Sequence, residues 1–380
     1  MKIAVLKERR PGETRVAAIP ETVKKFIGLG ANVVVETGAG QLSHIGDDAY
    51  TAAGATIAAD AKSAANGADI ILKVQRPEGE ELGAIKAGAL LVAMLSPYGA
   101  KEQMNQYASA NISAFAMEFM PRITRAQTMD VLSSQSNLAG YRAVIEAAEQ
   151  FGKALPMMMT AAGTIAPARA LILGAGVAGL QAIATARRLG AIVSAFDVRP
   201  AVKEQVQSLG ATFVEVDDDA AKNAETAGGY AKEMSEDYKR KQSLKIHETL
   251  KKTDIAISTA LIPGKPAPVL ITEEMVRDMK PGSVIVDMAV ESGGNCPLSE
   301  AGKVVTKHGV KIIGYTNLPG RIATDASALY SRNLFNFVST LISKETKSVK
   351  LDLNDEIVKG TLLTHNGSIV HPTFASAKAA

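Results

Sequence analysis

What most constrains this chain is an alternation that runs along its length: short runs of Val, Ile and Leu are each followed by a segment with helical spacing. Runs with few polar residues suit strands buried on both faces, and helices between them supply the crossovers that parallel pairing needs. The pattern predicts strands at residues 3–6, 32–36, 70–74, 90–94 and 112–116, forming one parallel sheet, with a first helix at 20–29 stopped by Gly30. A second set at 170–173, 192–196, 212–216, 254–258, 283–286 and 310–313 predicts a second doubly wound sheet. Between the two sets, Leu138, Tyr141, Val144, Ile145, Ala148 and Phe151 recur at helical spacing, with Gly152 at the C-terminal cap position, so residues 137–151 read as a helical connector.

Size agrees with two cores. A chain of 380 residues, 47% of them hydrophobic and 32 of them glycine, exceeds what one compact domain normally holds. A long helix from Asp325, carrying Leu329, Leu334, Phe337, Val338, Leu341 and Ile342, is expected to return the chain to its first domain. The tail over 357–370 alternates loosely around His365-Asn366-Gly367, where Asn-Gly supplies the positive φ of a tight hairpin turn. The expected architecture is α/β, with two doubly wound parallel-sheet domains joined by long helices. The second, 135–321, is inserted in the first, 1–134 plus 322–380.

Charge and cysteine content narrow the functional classes. Lys plus Arg number 42 against 39 Asp plus Glu, with no long basic block, which disfavours nucleic acid as a partner. A single cysteine, Cys296, forms no internal disulfide, suits a reducing compartment and excludes a cysteine-built metal site. The N-terminus reaches Lys7, Glu8, Arg9 and Arg10 too soon for a secretory signal, so the cytoplasm is the default. The longest apolar stretch, 171–186, contains three glycines and Gln181 and falls short of the roughly 20 residues that a membrane helix needs. The chain is expected to be soluble.

The chemistry concentrates at Gly174-Ala175-Gly176-Val177-Ala178-Gly179, directly after the 170–173 strand and at the start of a helix. Gly174 permits the tight turn, Gly176 lets backbone approach a pyrophosphate, and Gly179 lets helix and strand pack closely. Val177 and Ala178 head the helix, whose N-terminal N–H groups attract an anion. A lone glycine motif is weak evidence, but the next strand ends in Asp197, about 20 residues on, where a carboxylate binds the ribose hydroxyls of an adenosine. Asp197-Val198-Arg199 therefore joins the candidate cofactor site of a Rossmann-like domain. A carboxylate facing a 2′-phosphate meets like charge at a cost of about 1–4 kcal/mol, which favours NAD(H) over NADP(H). Arg199 weakens that preference, because an arginine there can bind a phosphate or stack beside the adenine.

Other features leave two readings open. Leu261, at the carboxyl edge of the second sheet, either faces a nicotinamide or belongs to an ordinary strand-to-loop transition. Arg122, Arg125, Gln127, Asp130 and Ser133 stand in a loop-like stretch between the last strand of the first domain and the connector helix. They either project into the interdomain cleft beside a nicotinamide or form a salt-bridged linker. Residues 217–253 are densely charged and include Gly228-Gly229-Tyr230; they form a solvated insertion or a lid whose hinge swings Tyr230 over a ligand. His44, His247, His308, His365 and His371 show no metal-binding spacing, so no metal is expected. No nucleophile elbow is present, and for a dehydrogenase the lack of a placed base is awkward.

Lys7-Glu8, Glu13-Thr14-Arg15-Val16-Ala17, Val35-Glu36 and Gly38-Ala39-Gly40 resemble the opening of the alanine dehydrogenase and transhydrogenase superfamily. Pro121-Arg122-Ile123-Thr124-Arg125-Ala126-Gln127-Thr128-Met129-Asp130, Ser133 to Tyr141, Gly228 to Met234 and Thr259-Ala260-Leu261-Ile262-Pro263-Gly264 are similar to the NAD(H)-binding components of proton-translocating transhydrogenases. The resemblance implies that Arg122, Asp130 and Ser133 hold the dihydronicotinamide half of NADH and that Asp197 holds the adenosine ribose. It also implies that Gln127 reaches toward the partner's nucleotide and that Tyr230 lies in a mobile loop. A second component would present NADP(H), so that hydride passes directly between two nicotinamide rings, and a membrane component would couple the exchange to proton movement. No acid or base is then needed at the hydride step; holding the rings together supplies the catalysis. The resemblance further implies a homodimer, held at the cytoplasmic face of the inner membrane through its partners. The chain itself ends at Ala380 without membrane segments, as a separate subunit or a piece of a longer protein would.

The competing enzyme within the superfamily is alanine dehydrogenase, which binds pyruvate with an arginine and a lysine and moves protons with a histidine and an aspartate. Arg15 and Lys73 stand at the first two places, but Ser96 replaces the histidine and Glu291 the aspartate. Amino-acid oxidation is thereby disfavoured, and Arg15 and Lys73 are expected as structural ion-pair partners.

Overall fold

A computed structural model describes residues 1–216, 234–343 and 345–375. The chain divides into two compact units, Met1–Gln135 with Gly320–Ala380, and Ser136–Pro319.

The first unit opens with β1 (Lys2–Val5), β2 (Asn32–Glu36), β3 (Thr56–Ala58), β4 (Ile70–Gln75), β5 (Leu90–Met94) and β6 (Ser113–Ala116), all parallel to their neighbours. Ile3 lies beside Val33 on one side and Ile70 on the other. Helices cover both faces, so both faces of β1 are apolar: Ile3 and Val5 enter one hydrophobic cluster, Ala4 and Leu6 the other. Each Val, Ile or Leu so buried contributes about 1.5–3 kcal/mol. The first helix, Pro20–Gly28, starts on proline and ends before Gly30, which takes a positive φ.

The second unit holds β7 (Met158–Thr160) and β8 (Gly163–Ile165), a separate hairpin, followed by β9 (Arg169–Leu173), β10 (Ile192–Phe196), β11 (Thr212–Phe213), β12 (Ile255–Ser258), β13 (Val284–Asp287), β14 (Val304–Lys307) and β15 (Val310–Ile313). The seven-stranded sheet runs β11-β10-β9-β12-β13-β15-β14. Its order reverses between β9 and β12, the switch point where open α/β sheets bind ligands.

The chain then returns to the first unit through the helix Ala323–Thr340 and adds β16 (Leu362–His365) and β17 (Ser368–Ile369) to the first sheet, giving the order β17-β16-β6-β5-β4-β1-β2-β3. The Asn366-Gly367 hairpin forms with both residues at positive φ, pairing Thr364 with Ile369.

Several sequence expectations need correction. The first sheet is not wholly parallel, because β16 runs antiparallel to β6. Its tail is only partly a hairpin, since Asp355 caps a helix at Glu356–Thr361 by accepting from Ile357 N. The strand expected at 212–216 stops at Phe213. Residues 122–133 are more ordered than a loop: Thr124–Met129 is a 3₁₀ helix, and the connector helix begins at Val131 and ends at Gln150. Asp130 explains the earlier start, because its Oδ1 accepts Ser133 N at 2.9 Å in the manner of an N-cap. Among the described residues no helix is long and apolar enough to cross a membrane.

Candidate functional site

In the second unit the candidate site is built on the carboxyl edge of β9, β10 and β12. Gly174 follows β9 at φ +99°, and a Cβ there would lie 2.5 Å from Thr259 Oγ1. Thr259 is held against the turn by donating to the carbonyls of Leu173 and Gly174 at 3.3 and 3.2 Å. A Cβ on Gly179 would fall 1.8 Å from the Gly174 carbonyl oxygen, so only glycine lets this helix sit so close to the strand. At Gly176 the situation is the reverse, since an added Cβ would meet nothing within 4 Å. The protein's own packing does not demand glycine there, whereas a pyrophosphate lying on the backbone would. No side chain caps the helix Val177–Arg188, which leaves its first-turn N–H donors to serve an anion. These features fit a dinucleotide. Val177 is exposed, Ala178 half-buried and Leu261 exposed.

Asp197 follows β10 as a buried carboxylate with four donors. Oδ2 accepts Ala175 N at 2.7 Å and Arg199 Nη2 at 2.7 Å; Oδ1 accepts Arg199 N and Nε, each at 2.9 Å. The glycine turn and the end of β10 are thus tied together through one side chain. Val198, next along the chain, packs on the core cluster beneath the sheet.

Two residues that sequence reasoning missed shape the same edge. Asp287, fully buried at the end of β13, accepts from Ala289 N, Asn295 N, Cys296 N and Ser299 Oγ. Asn295, also fully buried, pairs with Ala260 in both directions, accepting its N–H at 3.2 Å and donating to its carbonyl at 2.9 Å, and donates to Pro268 O at 2.8 Å. Together they fix the segment that presents Leu261. Asp287 is visible in the sequence as a polar strand end, but no local pattern marks Asn295, whose partners lie up to 35 residues away.

In the first unit, Ala126 and Met129 anchor the 3₁₀ helix in the core, leaving Arg122 and Gln127 exposed and Asp130 and Ser133 half-buried. Arg125 turns to Asp355 in a two-bonded pair at 2.8 and 2.6 Å, so the salt-bridge reading holds for that residue. Gly228, Gly229 and Tyr230 lie outside the described residues.

Arg15 and Lys73 are both deeply buried and both paired. Arg15 donates from Nε and Nη2 to Glu13 at 2.8 and 2.7 Å and from Nη1 to Gln135 at 2.8 Å. Burial pushes the Glu13 carboxyl up, but the Arg15 hydrogen bonds and charge outweigh it and hold the group below its usual range. Lys73 donates to Glu81 at 2.8 Å and stands 3.7 Å from Glu8. Burial pushes Glu8 up to about 7 despite Lys73 and the N–H of Val74. Ser96, at φ +47°, donates its backbone N–H to the buried Glu118, whose carboxyl burial raises. The histidines are engaged elsewhere: His247 with Asp278, His308 with Glu273, His365 with Ser113, and His371 between Phe119 and the Gly360 carbonyl, while His44 ends a 3₁₀ turn. Among the described residues no acidic, histidine or cysteine cluster suits a metal.

Residues 4–139 match the family described as "Alanine dehydrogenase/PNT, N-terminal domain", and residues 143–372 match "Alanine dehydrogenase/PNT, C-terminal domain". The chain is 62% identical over 379 residues to the first portion of the NAD(P) transhydrogenase alpha subunit of Rhodospirillum rubrum, a separate chain in that organism, covering 98% of this chain and 99% of that one. It superposes on a transhydrogenase from Sinorhizobium meliloti with a TM-score of 0.89 at 52% identity, covering 97% of this chain and 100% of that one. Alanine dehydrogenase of Halomonas elongata is 30% identical, over 99% of this chain and 96% of its own length. The chain belongs to the alanine dehydrogenase/PNT family, on the side of its transhydrogenase alpha subunits.

Proposed function

We propose that this chain is the NAD(H)-binding component of a proton-translocating transhydrogenase, giving hydride to, or taking it from, NADP(H) on a partner component, with a membrane component coupling the exchange to proton movement. Binding of a nicotinamide nucleotide and assembly with partner subunits follow at the coarser level from the family and from the relatives being subunits. The nucleotide supplies the hydride chemistry, and this chain's residues bind, orient and shield.

The N–H groups that begin the helix Val177–Arg188 hold the pyrophosphate over Gly176, with Gly174, Val177, Ala178 and Gly179 shaping the turn. Asp197 seats the adenosine ribose, flanked by Val198 and Arg199. Leu261 stands beside the nicotinamide, and Arg122, Asp130 and Ser133 hold the dihydronicotinamide half. Gln127 reaches toward the partner's nucleotide, and Tyr230 closes over the bound one. A homodimer attached to the cytoplasmic membrane face through its partners completes the assignment.

The observation that carries it over amino-acid oxidation is that, among the described residues, no histidine stands ready as an acid or base. All five are committed to turns, packing or surface pairs, and Ser96 occupies the place of the alanine dehydrogenase histidine. Direct exchange between two nicotinamides needs no proton transfer at the reacting carbon, so the lack of a base is no handicap. The test is to incubate the chain alone with L-alanine and NAD⁺. No NADH is expected to form, and alanine-dependent NADH production would overturn the proposal.

A further inference from the structure

Asp197 has room for about four hydrogen bonds, two at each oxygen, and the structure accounts for four. Two come from backbone N–H groups, Ala175 N on Oδ2 and Arg199 N on Oδ1, and these hold the carboxylate in place. The other two come from one flat group, with Arg199 Nε on Oδ1 at 2.9 Å and Nη2 on Oδ2 at 2.7 Å. A ribose diol bound at this carboxylate also presents two adjacent donors, one to each oxygen. The guanidinium therefore occupies the two acceptor positions that the 2′- and 3′-hydroxyls require.

We propose that Arg199 is a specificity-determining residue that competes with the adenosine ribose for Asp197, so that binding of NAD(H) requires its side chain to swing away. The pair is partly shielded, with side-chain exposures of 15% for Arg199 and 6% for Asp197, so releasing it opposes binding measurably. The displaced guanidinium has a second consequence. It puts a cation within reach of the 2′ position, where a bare Asp197 would repel a phosphate, and so narrows the margin by which the chain prefers NADH to NADPH. Arg199 thus lowers affinity for the right nucleotide and softens rejection of the wrong one. The long-range attraction of its charge for the pyrophosphate acts on both nucleotides alike and cancels in their ratio.

This inference rests on Asp197 as the ribose acceptor, and the experiment separates the two. Equilibrium dissociation constants for NADH, NADPH and an NADH analogue lacking the adenosine 2′-hydroxyl are measured by calorimetry on the full chain and on Arg199→Gln, Arg199→Lys and Asp197→Asn. Arg199→Gln is expected to bind NADH about three- to tenfold more tightly and NADPH more weakly, with the gain shrinking for the 2′-deoxy analogue. Arg199→Lys keeps the charge but loses the flat two-bond contact, so it is expected to gain some of the NADH affinity while retaining NADPH binding. Asp197→Asn is expected to weaken NADH by about tenfold or more. If Asp197→Asn weakens NADH but neither Arg199 variant tightens it, the competition is refuted and the ribose assignment stands. If Asp197→Asn leaves NADH unchanged, both fall.

Discussion

Gly140 offers the sharpest test of how the connector helix supports the glycine turn. It lies within the helix Val131–Gln150, where alanine is ordinarily worth about 1 kcal/mol more than glycine. Here a Cβ would lie 2.0 Å from the Ala178 carbonyl oxygen and 2.8 Å from its carbon, well inside the 3.0 Å that Cβ contacts keep. Both obstacles are backbone, so no side chain can swing clear, and the helix Val177–Arg188 must shift bodily. Overpacking of this kind costs about 1–3 kcal/mol, and more when the obstacle is rigid. The clash therefore outweighs the propensity gain, and Gly140→Ala is expected to lose about 1–2 kcal/mol, or about 3–6 °C of melting temperature for a unit of this size. Because Ala178 lies in the first turn of the pyrophosphate-facing helix, NADH affinity is expected to fall as well. Gly28→Ala is the control: it too is helical, but its Cβ would meet nothing within 4 Å, so it is expected to gain about 0.4–1 kcal/mol. Calorimetric melting of both variants decides the matter. A Gly140→Ala protein as stable as Gly28→Ala refutes the close approach of the two backbones.

Further expectations follow from the buried charges and the turn supports. Glu8, pushed up to about 7 by burial, binds its proton more firmly folded than unfolded, so its contribution to stability is full below about pH 4.5 and is lost as pH rises through 7. The loss is about 3 kcal/mol, and Glu8→Gln should gain on the parent chain by that order between about pH 5 and pH 8; a difference independent of pH would falsify the assignment. Asn295→Ala should cost about 2–3 kcal/mol in urea unfolding, because it strands the buried Ala260 and Pro268 carbonyls, and it should weaken NADH through the Leu261 segment. Asp130→Asn keeps an oxygen for Ser133 N and so should leave the melting temperature within error while lowering NADH affinity and reconstituted turnover. If both are unchanged, Asp130 is only a helix cap.

The regular portion of the fold was legible because burial on both faces writes itself into sequence. Val33, Val35, Ile70 and Leu72 are fully buried in strands that carry few polar residues. The glycine turn was legible for a different reason: backbone geometry that only glycine allows leaves a characteristic spacing, and Gly174, Gly176 and Gly179 are one turn seen three times. What escaped were elements stabilised by distant partners. β3 and β14 are edge strands whose exposed residues, such as Thr56 and Thr306, blur the apolar pattern. The β7–β8 hairpin is exposed along all six strand residues, so no burial pattern marks it. The start of the connector helix hid behind Asp130, which carries a cap and a candidate binding role in one side chain. In the site, the four bonds converging on Asp197 were beyond sequence, because the orientation of Arg199 depends on where the turn places Ala175 N.

The central claim is tested most directly by reconstitution. Hydride transfer from NADH to an NADP⁺ analogue is followed by stopped-flow absorbance, first with this chain alone and then with an NADP(H)-binding transhydrogenase component added. The account predicts no transfer by the chain alone and rapid transfer in the mixture, abolished or strongly slowed by Asp130→Asn. A silent mixture in which both nucleotides are bound, or transfer by this chain without its partner, would contradict it.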